Sequence, residues 1–376
     1  MHSLYKPIRN ILWPKTPFTH CLLLWCGILT AGLWPFSGPR NEVTWLHDEP
    51  ALSLDGYNVL FSSRMVNSSG SECSVELLLT PKMTFDSSTV LSFYTPDNPL
   101  QFSLQQRNDS LVLSSDVRLE KRETESIVES SHVFRKGQQL FVAVTVSAEK
   151  TAIYIDGQLT KDSTPFPFAG QICSGKLLLG NSAVRVDSWW GHLQGVAVYS
   201  GKLSPQEILA DYRSWLAQHR PEIASGKQLV ALYLMNRGGG HVIYNEIPSG
   251  SELYIPTRYK LVGQPFLDPP WKEYHHAYYW VSIGPNVAAF VPLGWFVYGY
   301  LSRSFTRKTA FLAAVLFGTG TSLTMEILQA YLPTRQSGTT DIVTNTVGTL
   351  LGVLLWLKVT PRVASRAEEY TARPCS

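Results

Sequence analysis

Charge is what this sequence has least of. Of 376 residues only 16% are charged, 32 Lys+Arg against 29 Asp+Glu, where a soluble globular domain carries roughly 25%. The deficit, together with 11 Trp and 17 Tyr, indicates that part of the chain meets a solvent other than water. A formal charge of +3 without a block of like charges argues against nucleic acid as a partner, because phosphate binding needs clustered Lys and Arg. Cysteine is scarce as well. Five are too few for a disulfide scaffold, and no pair has zinc-site spacing such as Cys-x-x-Cys, so no metal is assigned. The composition excludes a disordered or collagen-like chain, and the length allows about two or three domains.

Apolar runs long enough to cross a bilayer, about 20 residues for a helix, are absent from the middle of the chain and present at its ends. They read as transmembrane helices at 18–36, 277–301, 309–332 and 341–357. The first follows the basic residues Lys6, Arg9 and Lys15. It is longer than the apolar core of a signal peptide and lacks a small-x-small cleavage site, so it reads as a retained anchor. The second carries Tyr278, Tyr279, Trp280, Trp295 and Tyr298, which suit the two interfacial belts. Basic residues precede the first span, fill the turn between the second and third (Arg303, Arg307, Lys308), and follow the fourth (Lys358, Arg362, Arg366). With four spans all three groups fall on one side. The positive-inside rule makes that side the cytoplasm. This predicts a multi-pass protein of the plasma (inner) membrane, with residues 37–274 extracytoplasmic and both termini, 1–17 and 358–376, cytoplasmic.

Between the first two spans, residues 41–215 show short apolar runs broken by Gly, Pro, Asn, Asp and Ser, the pattern of many short strands. Asp156-Gly157 between apolar runs is a hairpin signal, because both turn positions take positive φ. The pattern predicts a β-sandwich of antiparallel sheets. It ends in a helix at 203–215, with Ser204 as N-cap, Pro205 at the first position and Glu207 three after the cap. Residues 216–274 form a connecting segment with two readings, completing the sandwich or leading back to the membrane. Cys73 and Cys173 both lie beside predicted strands of this exported part; they pair as a disulfide or remain two free thiols.

Ile153-Tyr154-Ile155-Asp156-Gly157, Leu177-Leu178-Leu179-Gly180-Asn181, the run from Trp190 to Tyr199 and Leu203-Ser204-Pro205-Gln206-Glu207-Ile208 together resemble the laminin G-like, concanavalin A-like jelly roll. That resemblance implies a module that binds sugar, protein or calcium, or hydrolyses glycan. Hydrolysis needs two carboxylates about 5 to 10 Å apart, which the catalytic relatives place on one strand as Glu-x-Asp-x-x-Glu or Glu-x-Asp-x-Glu. No such spacing occurs in the sequence. The acid-rich piece at 120–129 alternates with bases and reads as a solvated loop. Binding rather than catalysis is therefore expected, with Trp189 and Trp190 as candidates to stack on a sugar ring. Their other reading is one Trp in the sandwich core and one at its rim. No cofactor is expected. Calcium is the one candidate the resemblance offers, and Asp156 reads as a turn residue rather than its ligand.

The last spans carry polar residues at helical spacing. Asp341, Asn345, Gly348 and Gly352 recur at i, i+4, i+7 and i+11, on one face. Glu326 and Gln329 share a face of the preceding span, with Arg335 in the short loop after it. An ionisable residue in a span is costly and is a functional hypothesis with a partner to be named. The candidate pairs are Glu326 with Arg335 and Asp341 with Arg335, acting as a lock between helices or as a site for a lipid headgroup. These residues, with Asn286-Val287-Ala288-Ala289-Phe290-Val291-Pro292-Leu293-Gly294 and Leu332-Pro333-Thr334-Arg335, are similar to the VanZ-like membrane family, named after a protein of glycopeptide resistance. The resemblance implies a four-span bacterial envelope protein with the jelly roll inserted in its first outer loop. Expected partners are membrane lipid and an envelope glycan or exported protein. The alternatives are a carrier or enzyme acting on a lipid-linked glycan, and a structural tether.

Overall fold

The computed structural model describes residues 17–371 apart from 69, 86, 120–121, 164–171, 223–227, 249, 265, 268–276 and 336. The chain divides into two compact units, Gly38–Gln264 and, on either side of it in sequence, Met1–Ser37 with Pro265–Ser376.

The central unit is a sandwich of two eight-stranded sheets whose strands, numbered along the chain, pair antiparallel. The first sheet runs β1 (Val43–Trp45), β2 (Leu52–Leu54), β13 (Gly191–Ser200), β4 (Cys73–Pro81), β9 (Leu140–Val146), β10 (Thr151–Ile155) and β11 (Gln158–Ser163), with β14 (Gln228–Leu234) also on β13. The second runs β15 (Val242–Ile243), β16 (Leu253–Tyr254), β3 (Leu60–Ser62), β12 (Lys176–Leu179), β5 (Ser87–Tyr94), β6 (Phe102–Arg107), β7 (Ser110–Leu119) and β8 (Arg122–Ser130). The segment after residue 215 thus supplies β14 to one sheet and β15 and β16 to the other. The acid-rich piece read as a solvated loop is β8, an edge strand in register with β7 over nine pairs, Leu111↔Ser130 to Leu119↔Arg122. Its burial alternates from Ile127 to Ser130. Alternating charge is compatible with a strand that has one free edge, and charges there discourage edge-to-edge pairing.

Alternation is lost where a sheet is covered on both sides. In β9 every residue is buried, since Leu140, Val142 and Val144 face the sandwich core while Phe141 and Ala143 face a second apolar layer. That second layer is closed by helix α2 (Pro205–Gln218), which buries Ile208, Asp211 and Trp215. Ser204 and Glu207 form a complete capping box at its start, with Pro205 in the first turn, and this stops the strand and aims the helix across the sheet. Asp156 and Gly157 take φ of 51° and 77° in the two-residue turn that joins β10 to β11. A disulfide joins Cys73, the first residue of β4, to Cys173, just before β12, so it ties one sheet to the other.

The other unit is helical: α1 (Pro17–Leu33), α3 (Ala277–Leu301), α4 (Arg307–Gln329) and α5 (Thr339–Thr371). Helix α4 and residues Thr339–Thr360 of α5 are long and apolar enough to cross a membrane, and Phe18–Leu33 is a shorter apolar helix. Helix α5 does not stop at Leu357, where the sequence predicts the span to end; it continues to Thr371. The contact between α3 and α5 is made by glycines used in both directions. A Cβ on Gly294 would overlap the backbone of Thr349, one on Gly348 the carbonyl of Val287, and one on Gly352 the carbonyl of Val291. Small residues let two helices approach to backbone contact. Phe290, Leu293, Val297, Tyr298, Val353 and Trp356 pack around these contacts.

Candidate functional site

Two places gather polar side chains. The first is on the outer face of the first sheet. Glu76, Leu78, Thr80 and Lys82 alternate onto that face along β4 and its end. Helix α2 covers only part of it. At the other end, β2, β4 and β13 bring Ser53, Thr80 and His192 into one row through the register Ser53↔His192↔Thr80. Lys82 Nζ lies 2.8 Å from both oxygens of Asp55 and 2.7 Å from Ser53 Oγ. His192 Nδ1 lies 2.6 Å from Glu49 Oε1. Burial pushes the Asp55 carboxyl up, but hydrogen bonds from Lys82 and Ser53 and the charges of Lys82 and His192 outweigh it and hold it below its ordinary value. Gln194, at a bulge in β13, donates to Thr80 Oγ1 at 3.2 Å. The carbonyl of Trp190 accepts the backbone N–H of Lys82 at 3.0 Å, and the Trp190 side chain is 38% exposed. An exposed indole beside fixed donors and acceptors is an arrangement that can stack on one face of a sugar and hydrogen-bond its hydroxyls.

The two tryptophans separate as core and rim. Trp189 is fully buried, its indole donates to Gln106 Oε1 at 2.7 Å, and it offers no ring face to a ligand. Trp190 alone remains for stacking. Asp156 spends a carboxylate oxygen on the backbone N–H of Phe141, at 3.0 Å, which fixes its turn. Among the described residues no three His, Cys, Asp or Glu side chains gather as for a metal ion. The residues that sequence reading missed, Glu49, Asp55, Lys82 and His192, are spread over more than 140 positions and meet only through the register of β2, β4 and β13.

The second place is in the helical unit. Glu326 is buried and accepts the backbone N–H of Gly338 at 2.8 Å. Asn345 Nδ2 donates to Ser322 Oγ at 2.9 Å, and Asn286 Nδ2 donates to Asp341 Oδ1 at 2.7 Å. Gln329 Nε2 reaches the carbonyl of Gly32 at 2.8 Å, and the Arg335 guanidinium makes two hydrogen bonds to the carbonyl of Trp34. Asp341 is therefore held by Asn286 rather than by Arg335, because α3 and α5 meet closely enough to put the amide there first. Asn345 thus bonds across to α4, Glu326 holds the backbone just before α5 and Asp341 is bonded from α3, while Gln329 and Arg335 bond the carbonyls at the end of α1.

Residues 55–209 match the concanavalin A-like lectin/glucanases superfamily, and residues 242–360 match the VanZ/LLP1 family. The chain combines a concanavalin A-like sandwich with a VanZ-like helical region. Among solved structures it is similar to a Bacteroides ovatus protein described as carbohydrate binding (14% identity, 55% of this chain and 59% of that one, TM-score 0.40). It is also similar to a heptameric SAP-like pentraxin from Limulus polyphemus (16% identity, 43% and 80%, TM-score 0.35). A third similarity is to the receptor binding domain of botulinum neurotoxin D (14% identity, 46% and 46%, TM-score 0.36). The chain thus spans 59% of the length of the Bacteroides protein. Comparison with curated proteins gives no match.

Proposed function

We propose that this is a four-span envelope protein, with both termini cytoplasmic, that uses its outward-facing sandwich to bind an envelope glycan. The observation that carries this reading is the uncovered end of the first sheet, where Trp190 is exposed beside the ordered set Asp55, Lys82, Ser53, His192 and Glu49. A surface that only had to be soluble has no need of an exposed tryptophan next to side chains fixed by mutual hydrogen bonds. The superfamily match supports a ligand of this class, and the three basic flanks of the apolar helices support the orientation. The helical region is then the platform that holds the module at the membrane.

The test is a glycan array and a cell-wall pull-down with the full chain in lipid nanodiscs. Wild type should retain a saccharide. Trp190→Ala should weaken it about tenfold, the loss of one stacking contact of about 1.4 kcal/mol, and Lys82→Ala should weaken it further by freeing Asp55. Equal binding by a folded Trp190→Ala protein would sink the assignment to this patch. No glycan binding by any form would move the sandwich to a protein partner.

A further inference from the structure

At the uncovered end of the first sheet the donors are engaged and the acceptors are not. Along β13 and the residues before it, Trp189 and Leu193 point into the sandwich core, so alternation puts Trp190 and His192 on the outer face. The register Ser53↔His192↔Thr80 and the bond from the Lys82 N–H to the Trp190 carbonyl place Ser53 and Lys82 beside them. An ammonium has three N–H groups. Those of Lys82 are matched by three acceptors, Asp55 Oδ1 and Oδ2 at 2.8 Å and Ser53 Oγ at 2.7 Å. The Ser53 hydroxyl donates in turn to Asp55 Oδ2 at 2.6 Å. His192 Nδ1 is committed to Glu49 Oε1, and His192 is also close enough to Asp55 for its charge to act there. What this leaves for a ligand is oxygen lone pairs. Asp55 uses three of about four acceptor positions, and Glu49 uses one oxygen of two. Both carboxylates reach the surface, with side chains 37% and 42% exposed.

A sugar hydroxyl brings the donor that these oxygens lack. The carboxylate of an acidic sugar brings only acceptors. It would face two carboxylates of like charge, and the ammonium able to meet it is already neutralised by Asp55. We infer, resting on the glycan reading above, that this patch selects uncharged saccharides over acidic ones. Trp190 takes the C–H face of a neutral saccharide whose hydroxyls donate to Asp55 and Glu49. Asp55 then sets the specificity, because it accepts from the ligand and at the same time neutralises Lys82. Binding of an uncharged ligand is also insensitive to ionic strength, since salt screens only charge.

The experiment uses the full chain in nanodiscs of phosphatidylcholine, whose zero net charge keeps the bilayer from repelling acidic glycans. An array carrying galactose, glucose, mannose and N-acetylglucosamine beside glucuronate, galacturonate and sialic acid is read at low and at high salt. At least one neutral saccharide should be held about tenfold more tightly than any acidic one, and its retention should change less than about twofold with salt. Asp55→Asn should weaken that saccharide about tenfold and, by leaving Lys82 without its counter-charge, raise the retention of glucuronate at low salt. Glu49→Gln, which leaves Lys82 paired, should weaken the neutral saccharide without that rise. Where Asp55→Asn does not fold, the wild-type ratio and its salt dependence decide. An acidic saccharide held by wild type as tightly as any neutral one, or a folded Asp55→Asn protein with the wild-type ratio of neutral to acidic binding, overturns the inference and leaves the glycan reading standing. Retention of no saccharide of either kind by wild type overturns both.

Discussion

The two units of this chain differ in which residues they leave outside. In Gly38–Gln264 the interior is made of Leu, Val and Phe from two sheets, with Trp189 and Trp215 as its largest side chains. In the helical unit Thr321, Ser322, Glu326, Gln329, Thr344, Asn345 and Thr349 are buried, while Leu312 and Leu316 on α4 and Val343 and Leu354 on α5 stand 45–59% exposed. Burying leucine is favourable only where the outside is water. Where the outside is hydrocarbon, helices gain nothing by hiding it and associate through close packing and polar contacts. The glycine approaches at Gly294, Gly348 and Gly352 and the Asn286–Asp341 and Asn345–Ser322 bonds are those two devices.

The largest expected effect belongs to the sandwich alone. Cys73→Ala removes the bond that closes a separation of 100 residues and should cost about 2–5 kcal/mol, read as a fall in the thermal midpoint of the sandwich transition and reproduced by reductant on the wild type. The helical unit, with no disulfide among the described residues, should ignore the reductant. Next is a paired substitution that sets water against lipid. Leu316 in α4 is 59% exposed and Leu159 in β11 is 52% exposed. Leu316→Arg should lower membrane insertion by about 2.5–3.5 kcal/mol, measured as loss from the membrane fraction. Leu159→Arg should change stability by no more than about 0.5 kcal/mol. Equal tolerance at both positions would remove the contrast between the units and, with it, the membrane assignment of α4.

Much of this contrast is legible in the sequence because it is written in local signals. The presence of helices at α1, α3, α4 and α5 follows from apolar runs, the start of α2 from Ser204, Pro205 and Glu207, and the β10–β11 turn from Asp156-Gly157. The end of α5 is not, because a helix can run past its apolar stretch into charged residues without a change of period. Residues 120–129 fail for a related reason: alternating acids and bases look solvated whether the backbone is a loop or the edge strand β8. The patch around Trp190 was half visible. The tryptophan pair stands out in sequence, but Glu49, Asp55, Lys82 and His192 carry no shared motif, and only the register of three strands makes them neighbours.

A smaller effect tests the close approach of α3 and α5. Gly352→Ala adds one methyl where the Val291 carbonyl and the Trp295 N–H already touch the space, and backbone cannot swing aside as a side chain can. Overpacking of this kind should cost about 1–3 kcal/mol, seen as a lower detergent-denaturation midpoint. The contrasting change in the other unit is Ser204→Ala, which loses only the cap of α2 and about 1 kcal/mol. A Gly352→Ala protein as stable as wild type would mean that polar bonds alone hold the helices together.

The smallest change concerns a carboxyl that the sandwich buries. Glu76 sits fully buried between the first sheet and α2, accepting from Trp215 Nε1 at 3.0 Å and Tyr199 Oη at 3.3 Å, while Tyr199 also donates to Asp211 at 3.0 Å. Burial first, and then the charge of Asp211, push the Glu76 carboxyl well above its ordinary value, which favours its neutral form in the folded protein. In the unfolded chain it ionises near pH 4.3. The stability it contributes is fully present below about pH 4 and is lost as pH rises toward the folded value. Glu76→Gln keeps the size and the acceptor oxygen, supplies an N–H in place of the acid proton, and has nothing to ionise. It should therefore stabilise the sandwich by about 1 kcal/mol at pH 8 and flatten the pH profile, with no gain at pH 4. A variant whose profile still falls above pH 4 as steeply as wild type would assign the slope to another group.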